Sequence, residues 1–190
     1  MADTNKVIFG FSDLYIGTYS VSDQGVVTMG TPYHQAGAVG FSPEENTDKE
    51  DFFADNTAYY TSYSSGTYEG DLEVAKFDDA FKKQFLGYVE LDDGGLAQIK
   101  GANKPKIYIM FEVQGDAHAR RVIFYNGTMG SIVREYSTLE ENKTPVTESI
   151  NMTLVGDNAT GITKVTYNRG DTGYSTLFTN PPAPTLPSES

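Results

Sequence analysis

The chain of 190 residues has no cysteine, no tryptophan and two histidines. Without cysteine there is no disulfide framework, no thiolate nucleophile and no thiolate-held metal. His34 and His118 are far apart and lack ligand-like spacing, so both read as structural or surface residues. Positive charge is scarce. Fourteen Lys and Arg face 26 Asp and Glu, giving a net charge of −12 and a pI near 4.5. Such a surface repels nucleic-acid phosphates and anionic membranes, which argues against sequence-specific DNA binding. No apolar run approaches the ~20 residues of a membrane helix. Residues 1–20 carry neither a basic n-region nor an unbroken apolar segment, so no secretory signal is expected.

Catalytic signatures are missing as well. There is no G-x-S-x-G, no Walker loop and no G-x-G-x-x-G. Asp92-Asp93-Gly94-Gly95 lacks the spaced carboxylates and closing Glu of a calcium loop and reads as a turn. Arg169-Gly170-Asp171 falls in a Gly-rich turn, and without a secretory signal the sequons at Asn126, Asn142, Asn151 and Asn158 would meet no glycosylation enzyme. No enzyme activity, cofactor or metal is expected.

What is present is β-forming. Thirteen Tyr, eleven Phe and nineteen Gly suit a turn-rich, mainly β domain. Val7, Phe9 and Phe11 suggest a first strand. Leu14–Val21 and Val26–Met29 flank the turn Ser22-Asp23-Gln24-Gly25. Ile107–Val113 is apolar on both faces, as in a covered central strand, and Arg121–Asn126 follows as its hairpin partner. Ser149–Leu154 alternates, with Ile150, Met152 and Leu154 on one side; Ile162–Tyr167 is its expected partner across Gly156-Asp157-Asn158. Residues 179–190, rich in Pro, are expected to be a disordered tail after a single domain of residues 1–178.

Residues 51–87 are the most informative. The acidic stretch Ser42–Asp55, which reads as an extended loop or mobile hairpin, runs into an aromatic one, so a long extended loop is expected over about 42–68. It carries Phe52, Phe53, Tyr59, Tyr60, Tyr63 and Tyr68. Exposed aromatics invite association, and another subunit covering them points to assembly rather than catalysis. A short strand, Leu72–Phe77, leads to the one expected helix, 78–86. Its acidic start, Lys82 and Lys83 near its end, and Gly87 fit the capping and dipole rules, and Phe81 and Phe85 share a face.

In order and spacing, several segments resemble the major tail proteins of long-tailed, non-contractile bacteriophages. They are Lys6-Val7-Ile8-Phe9-Gly10, Phe53-Ala54-Asp55-Asn56, Gly70-Asp71-Leu72-Glu73-Val74-Ala75 and Phe85-Leu86-Gly87. Phe111-Glu112-Val113 with Gly115-Asp116, Arg120-Arg121 before Phe124-Tyr125-Asn126, and Glu148 before the Ile150–Leu154 strand complete the set. The resemblance covers about residues 5–178. It implies a tail-tube fold: two packed antiparallel β-sheets, one flanking helix and a long loop. It also implies homohexameric rings that stack into a tube in the virion, around a tape-measure protein and beside tail terminator and distal tail proteins, with DNA passing through unbound. No second, immunoglobulin-like domain follows in this sequence. A negative lumen would repel sliding DNA, with Asp71 and Glu73 as its candidate lining residues. The alternative is a monomeric β-sandwich that binds carbohydrate or a cell surface through its tyrosines; a glycoside hydrolase ranks third.

Overall fold

A computed structural model describes residues 7–54, 57–115, 117–136 and 146–187, with the backbone alone at 8–9, 48–54 and 57–65. The elements in order are β1 (Ile8–Val21), β2 (Val27–Met29), β3 (Tyr33–His34), β4 (Ala38–Ala54), β5 (Thr57–Val74), α1 (Asp79–Leu86), β6 (Tyr88–Glu90) and β7 (Leu96–Gln98). They continue as β8 (Ile107–Gly115), β9 (Arg120–Arg134), β10 (Glu148–Leu154), β11 (Lys164–Asn168) and α2 (Thr172–Thr176). The fold is mainly β.

Strands pair antiparallel in the order β2-β1-β8-β9-β10-β5-β4, with β3 also on β1 and β11 also on β9; β6 and β7 form a separate hairpin. The Ser22–Gly25 turn forms where the sequence places it, closed by Gly25 at φ 80° and by Val26 N–H donating to Ser22 Oγ at 3.1 Å. The Asp92–Gly95 turn joins β6 to β7, with Gly95 N–H on Asp93 Oδ1 at 3.0 Å.

The two expected sheets are amended to one sheet folded on itself. Strand β9 runs through both layers: its first half pairs with β8 and its second half with β10. The change of direction falls at Asn126, whose φ is 52° and whose Nδ2 donates to Gly156 O at 2.5 Å. Asn tolerates this left-handed conformation better than most residues. On a flat sheet β4 would lie roughly 14 Å from β9. Instead Phe41 on β4 meets Phe124 on β9 with centroids 6.0 Å apart, and Phe111 on β8 at 5.6 Å. The layer of β9 (second half), β10, β5 and β4 therefore faces the layer of β1, β8 and β9 (first half). Leu14, Ile16, Leu72, Ile109 and Ile150 are fully buried in the core that holds these rings.

Helix α1 closes one end of this core as its sequence dictates. Asp78 accepts from Phe81 N–H at 2.7 Å, and Gly87, at φ 70°, donates to Lys82 O. Phe81 and Phe85 are buried, and Phe77 stacks on Phe81 at 4.7 Å. Tyr33 Oη donates to Asp78. Burial and then that bond push Tyr33 up to about 12. Burial also opposes ionisation of Asp78, but the bonds from Tyr33 and Phe81 hold it below its ordinary value.

Strand β8 is buried on both faces, as expected. Ile107, Ile109 and Phe111 point into the main core, while Tyr108 and Met110 lie in a second cluster under Leu177 and Phe178. Arg121 pins this C-terminal cover. It bonds Glu112 Oε2 (3.0 Å) and Tyr174 O (2.6 Å) and sits 4.2 Å from the centre of the Phe178 ring.

Three sequence expectations need correcting. Ile162–Tyr167 does not pair with β10. Strand β11 pairs with Arg120–Phe124 of β9, on the edge whose other half β10 occupies, so β10 and β11 are successive segments along one edge. The turn between them is built by Asp157, which accepts from Ala159 N–H, Thr160 N–H and Tyr19 Oη. Second, the Pro-rich end packs in part. Pro181 and Pro184 are buried and Pro182 O accepts from Tyr125 Oη at 3.1 Å, because proline, lacking an N–H, can lie on a surface without stranding a donor. Third, of the extended loop and the hairpin that the sequence allows over 42–68, the hairpin forms: residues 42–54 and 57–68 belong to β4 and β5, paired from Ala38 opposite Val74 to Ala54 opposite Thr57 with three register shifts. Cross-strand pairing satisfies the backbone even where side chains are too polar to pack.

Candidate assembly surface

The layer of β9 (second half), β10, β5 and β4 has two unlike faces because its side chains alternate. Leu72, Val74, Ile150, Met152, Leu154 and Met129 are buried. The other face follows the pairing in rows. Glu73 lies opposite Ser149 and Gly40, Asp71 opposite Asn151 and Ser42, and Glu69 opposite Thr153 and Glu44. Glu44, Glu69 and Asp71 are exposed and Glu73 is partly covered. Among the described residues of these rows no Lys or Arg balances them. Thr147 Oγ1 donates to Glu73, and Asn151 Nδ2 to Asp71 at 3.4 Å. Asp71 and Glu73 thus stand on one open face. Glu69 and Glu44 join them, which sequence reasoning missed; the i, i+2 spacing of 69, 71 and 73 was the available signal.

The aromatic residues divide. Tyr68, expected to face a second subunit, is partly buried against the chain's own core. It shares the inward parity of Leu72 and Val74, its ring meets Phe124 edge-on at 5.3 Å, and its hydroxyl donates to Glu45 at 3.1 Å. The side chains of Phe52, Phe53, Tyr59, Tyr60 and Tyr63 lie outside the described residues; their backbone runs along the hairpin, with Phe52 opposite Tyr60 and Lys49 opposite Tyr63. Strand β10 pairs with β5 only over Tyr68–Val74, so the hairpin continues past the layer as a two-stranded ribbon. Its ten residues from Glu45 to Ala54 span roughly 33 Å.

Both margins of the layer lack a strand partner among the described residues: the outer edge of β4, and β9 beyond Gly127 on the side facing away from β10. Exposed apolar residues stand at these margins, with Val39 on β4, Val133 on β9 and Tyr136 just beyond it.

Among the described residues no group of three or more His, Asp or Glu is placed to hold a metal. Arg169-Gly170-Asp171 is held locally, with Asp171 Oδ2 accepting from Asn168 N–H at 2.7 Å. No described helix is long and apolar enough to cross a membrane.

These features define a β-rich fold whose main layer, among the described residues, has no strand partner at either side. No family model matches the chain, and no curated protein matches it in sequence. Among solved structures it is similar to the cap that terminates the tube of the anti-feeding prophage. That likeness has 11% identity, covers 88% of this chain and 97% of that one, and gives a TM-score of 0.51. The sheath–tube complex of an extracellular contractile injection system, PVC, in its extended state is similar at 11% identity over 83% and 89% of the two chains, with a TM-score of 0.49. The chain shares its overall fold with that tube-terminating cap.

Proposed function

We propose that this protein is a structural subunit of a bacteriophage tail tube, assembling by self-association as stacked rings that form a conduit for DNA. The observation that carries this reading is the open four-stranded layer. With an even number of strands, its margins β9 and β4 run antiparallel, so β4 of a second copy can extend the ladder of β9 in the same sense. Repeated head-to-tail addition closes a ring and removes every edge. Six copies per ring, a non-contractile tail, and a tape-measure, terminator and distal tail proteins as partners follow the sequence resemblance. Facing the channel, Glu44, Glu69, Asp71 and Glu73 would repel sliding phosphates. The ribbon would carry Phe52, Phe53, Tyr59 and Tyr60 to a neighbouring ring, where aromatic burial suits an interface core.

Negative-stain electron microscopy at rising concentration, with light scattering on the same samples, tests this. Rings or tubes with a central channel are expected. Phe52→Ser with Phe53→Ser should leave the circular dichroism spectrum unchanged and lower tube yield. Saturable sugar binding by a persistent monomer would replace this reading with the binding-module one. Rings that never stack would favour a subunit that ends a tube instead of extending it.

A further inference from the structure

Beside the β9 margin lies a groove between that strand and the β6–β7 hairpin. Two adjoining cavities of about 340 and 510 Å³ share Gln98 and are floored by Ser131, Ile132 and Arg134. Four cations line them: Lys82, Lys100, Lys104 and Arg134. Their two carboxylates are taken, Asp79 by Lys82 and Glu148 by Arg134. Among the described residues Lys100 and Lys104 are left as surplus positive charge, in a chain of net charge −12.

Lys104 occupies a particular place. Ile107 lies opposite Gly127, so the chain preceding β8 continues alongside β9. Pro105 has no N–H with which to continue the ladder. In its stead the Lys104 ammonium donates to Met129 O at 3.3 Å and to Gly130 O. Among the described residues it has no carboxylate partner. Burial disfavours its charge and lowers its pKa, so an incoming anion would be welcome there. Lys and Pro are the residues that commonly blunt a sheet edge against pairing.

The occupant that fits is β4 of a second copy. It is extended, its outer edge lacks a strand partner among the described residues, and it carries exposed Glu44 and Glu45, followed in sequence by Asp48, Glu50 and Asp51. Val39 at its start, 52% exposed, would meet Val133, 66% exposed. We infer that this groove is the strand-accepting site for β4 of a second copy, and that Lys104 holds it shut in the free subunit until the acidic strand draws the ammonium off the β9 carbonyls. The inference rests on the self-association reading and adds a site and a regulator to it.

The test follows assembly by light scattering for the wild type, Lys104→Met, Lys104→Arg and Lys104→Glu. Lys104→Met, with its edge open, should shorten the lag severalfold. Lys104→Arg, which still caps the carbonyls, should keep it, and Lys104→Glu should lengthen it by repelling β4. Because the chain lacks cysteine, Ser42→Cys with Ser131→Cys gives a clean second readout, and a short bismaleimide should link copies into a ladder. A Lys104→Met lag no shorter than wild type, with unchanged circular dichroism, would overturn the latch. Tubes that assemble without any cross-linked ladder would overturn the groove while leaving tube formation intact. Wild type and Lys104→Met both remaining monomeric at every concentration would overturn both.

Discussion

Glu148 ties the acidic-faced layer to the helix that closes the core, and removing it should be costly. Its side chain is 2% exposed; one carboxylate oxygen accepts from Phe77 N–H at 2.6 Å and the other meets Arg134. In Glu148→Ala the buried Phe77 amide loses a bond to a charged acceptor, a loss of roughly 1.5–3 kcal/mol. Arg134, a third exposed, can turn to water, so the full ~3–5 kcal/mol of a broken buried pair is not expected. Because Arg134 also loses its partner, the upper end of the first range, about 3 kcal/mol, is expected. With a urea slope near ~2 kcal/mol per molar, the unfolding midpoint should fall by about 1.5 M. Glu148→Gln keeps an acceptor and should lose about half as much. Hydrogen exchange at the Phe77 amide supplies the local readout and should quicken more than exchange in β8. A Glu148→Ala midpoint within 0.3 M of wild type (roughly the noise of such extrapolations) would refute the claim that this carboxylate anchors the helix.

Two other outcomes are expected. Asp157 is held below its ordinary carboxylate value of 3.8: burial opposes ionisation, but the bonds from Tyr19 and Thr160 outweigh it. The folded state therefore favours the ionised form. Its contribution is full above the ordinary value and is lost as pH falls through the lowered one, so Asp157→Asn should weaken the protein at pH 6 and flatten the decline toward pH 3 in urea titrations. Glu69 lies directly opposite Glu44, and like charges so placed destabilise a sheet. Glu69→Gln should raise Tm by about 1–2 °C in calorimetry, and more at low salt than high; no gain would mean that the pair is already screened.

Much of this was legible in the sequence. The alternation in Ser149–Leu154, the double-faced apolar run of β8, the Ser22–Gly25 turn and the capped helix after Asp78 all depend on neighbours within a few residues, and each formed as its pattern required. The inward parity of Tyr68 was there too, in its even spacing from Leu72. Strand partnership was not. That β11 continues along β9 instead of returning along β10, that β9 serves two layers by bending at Asn126, and that β10 comes to lie beside β5 depend on which edges are vacant once distant segments have met. Local composition cannot fix that choice, because every strand offers the same backbone donors and acceptors. For the same reason Lys104 looked like one surface lysine among several until the fold set its ammonium on the carbonyls of Met129 and Gly130. The sequence by itself determined which faces are apolar and that the surface is acidic; only the tertiary structure decided which edges stay open.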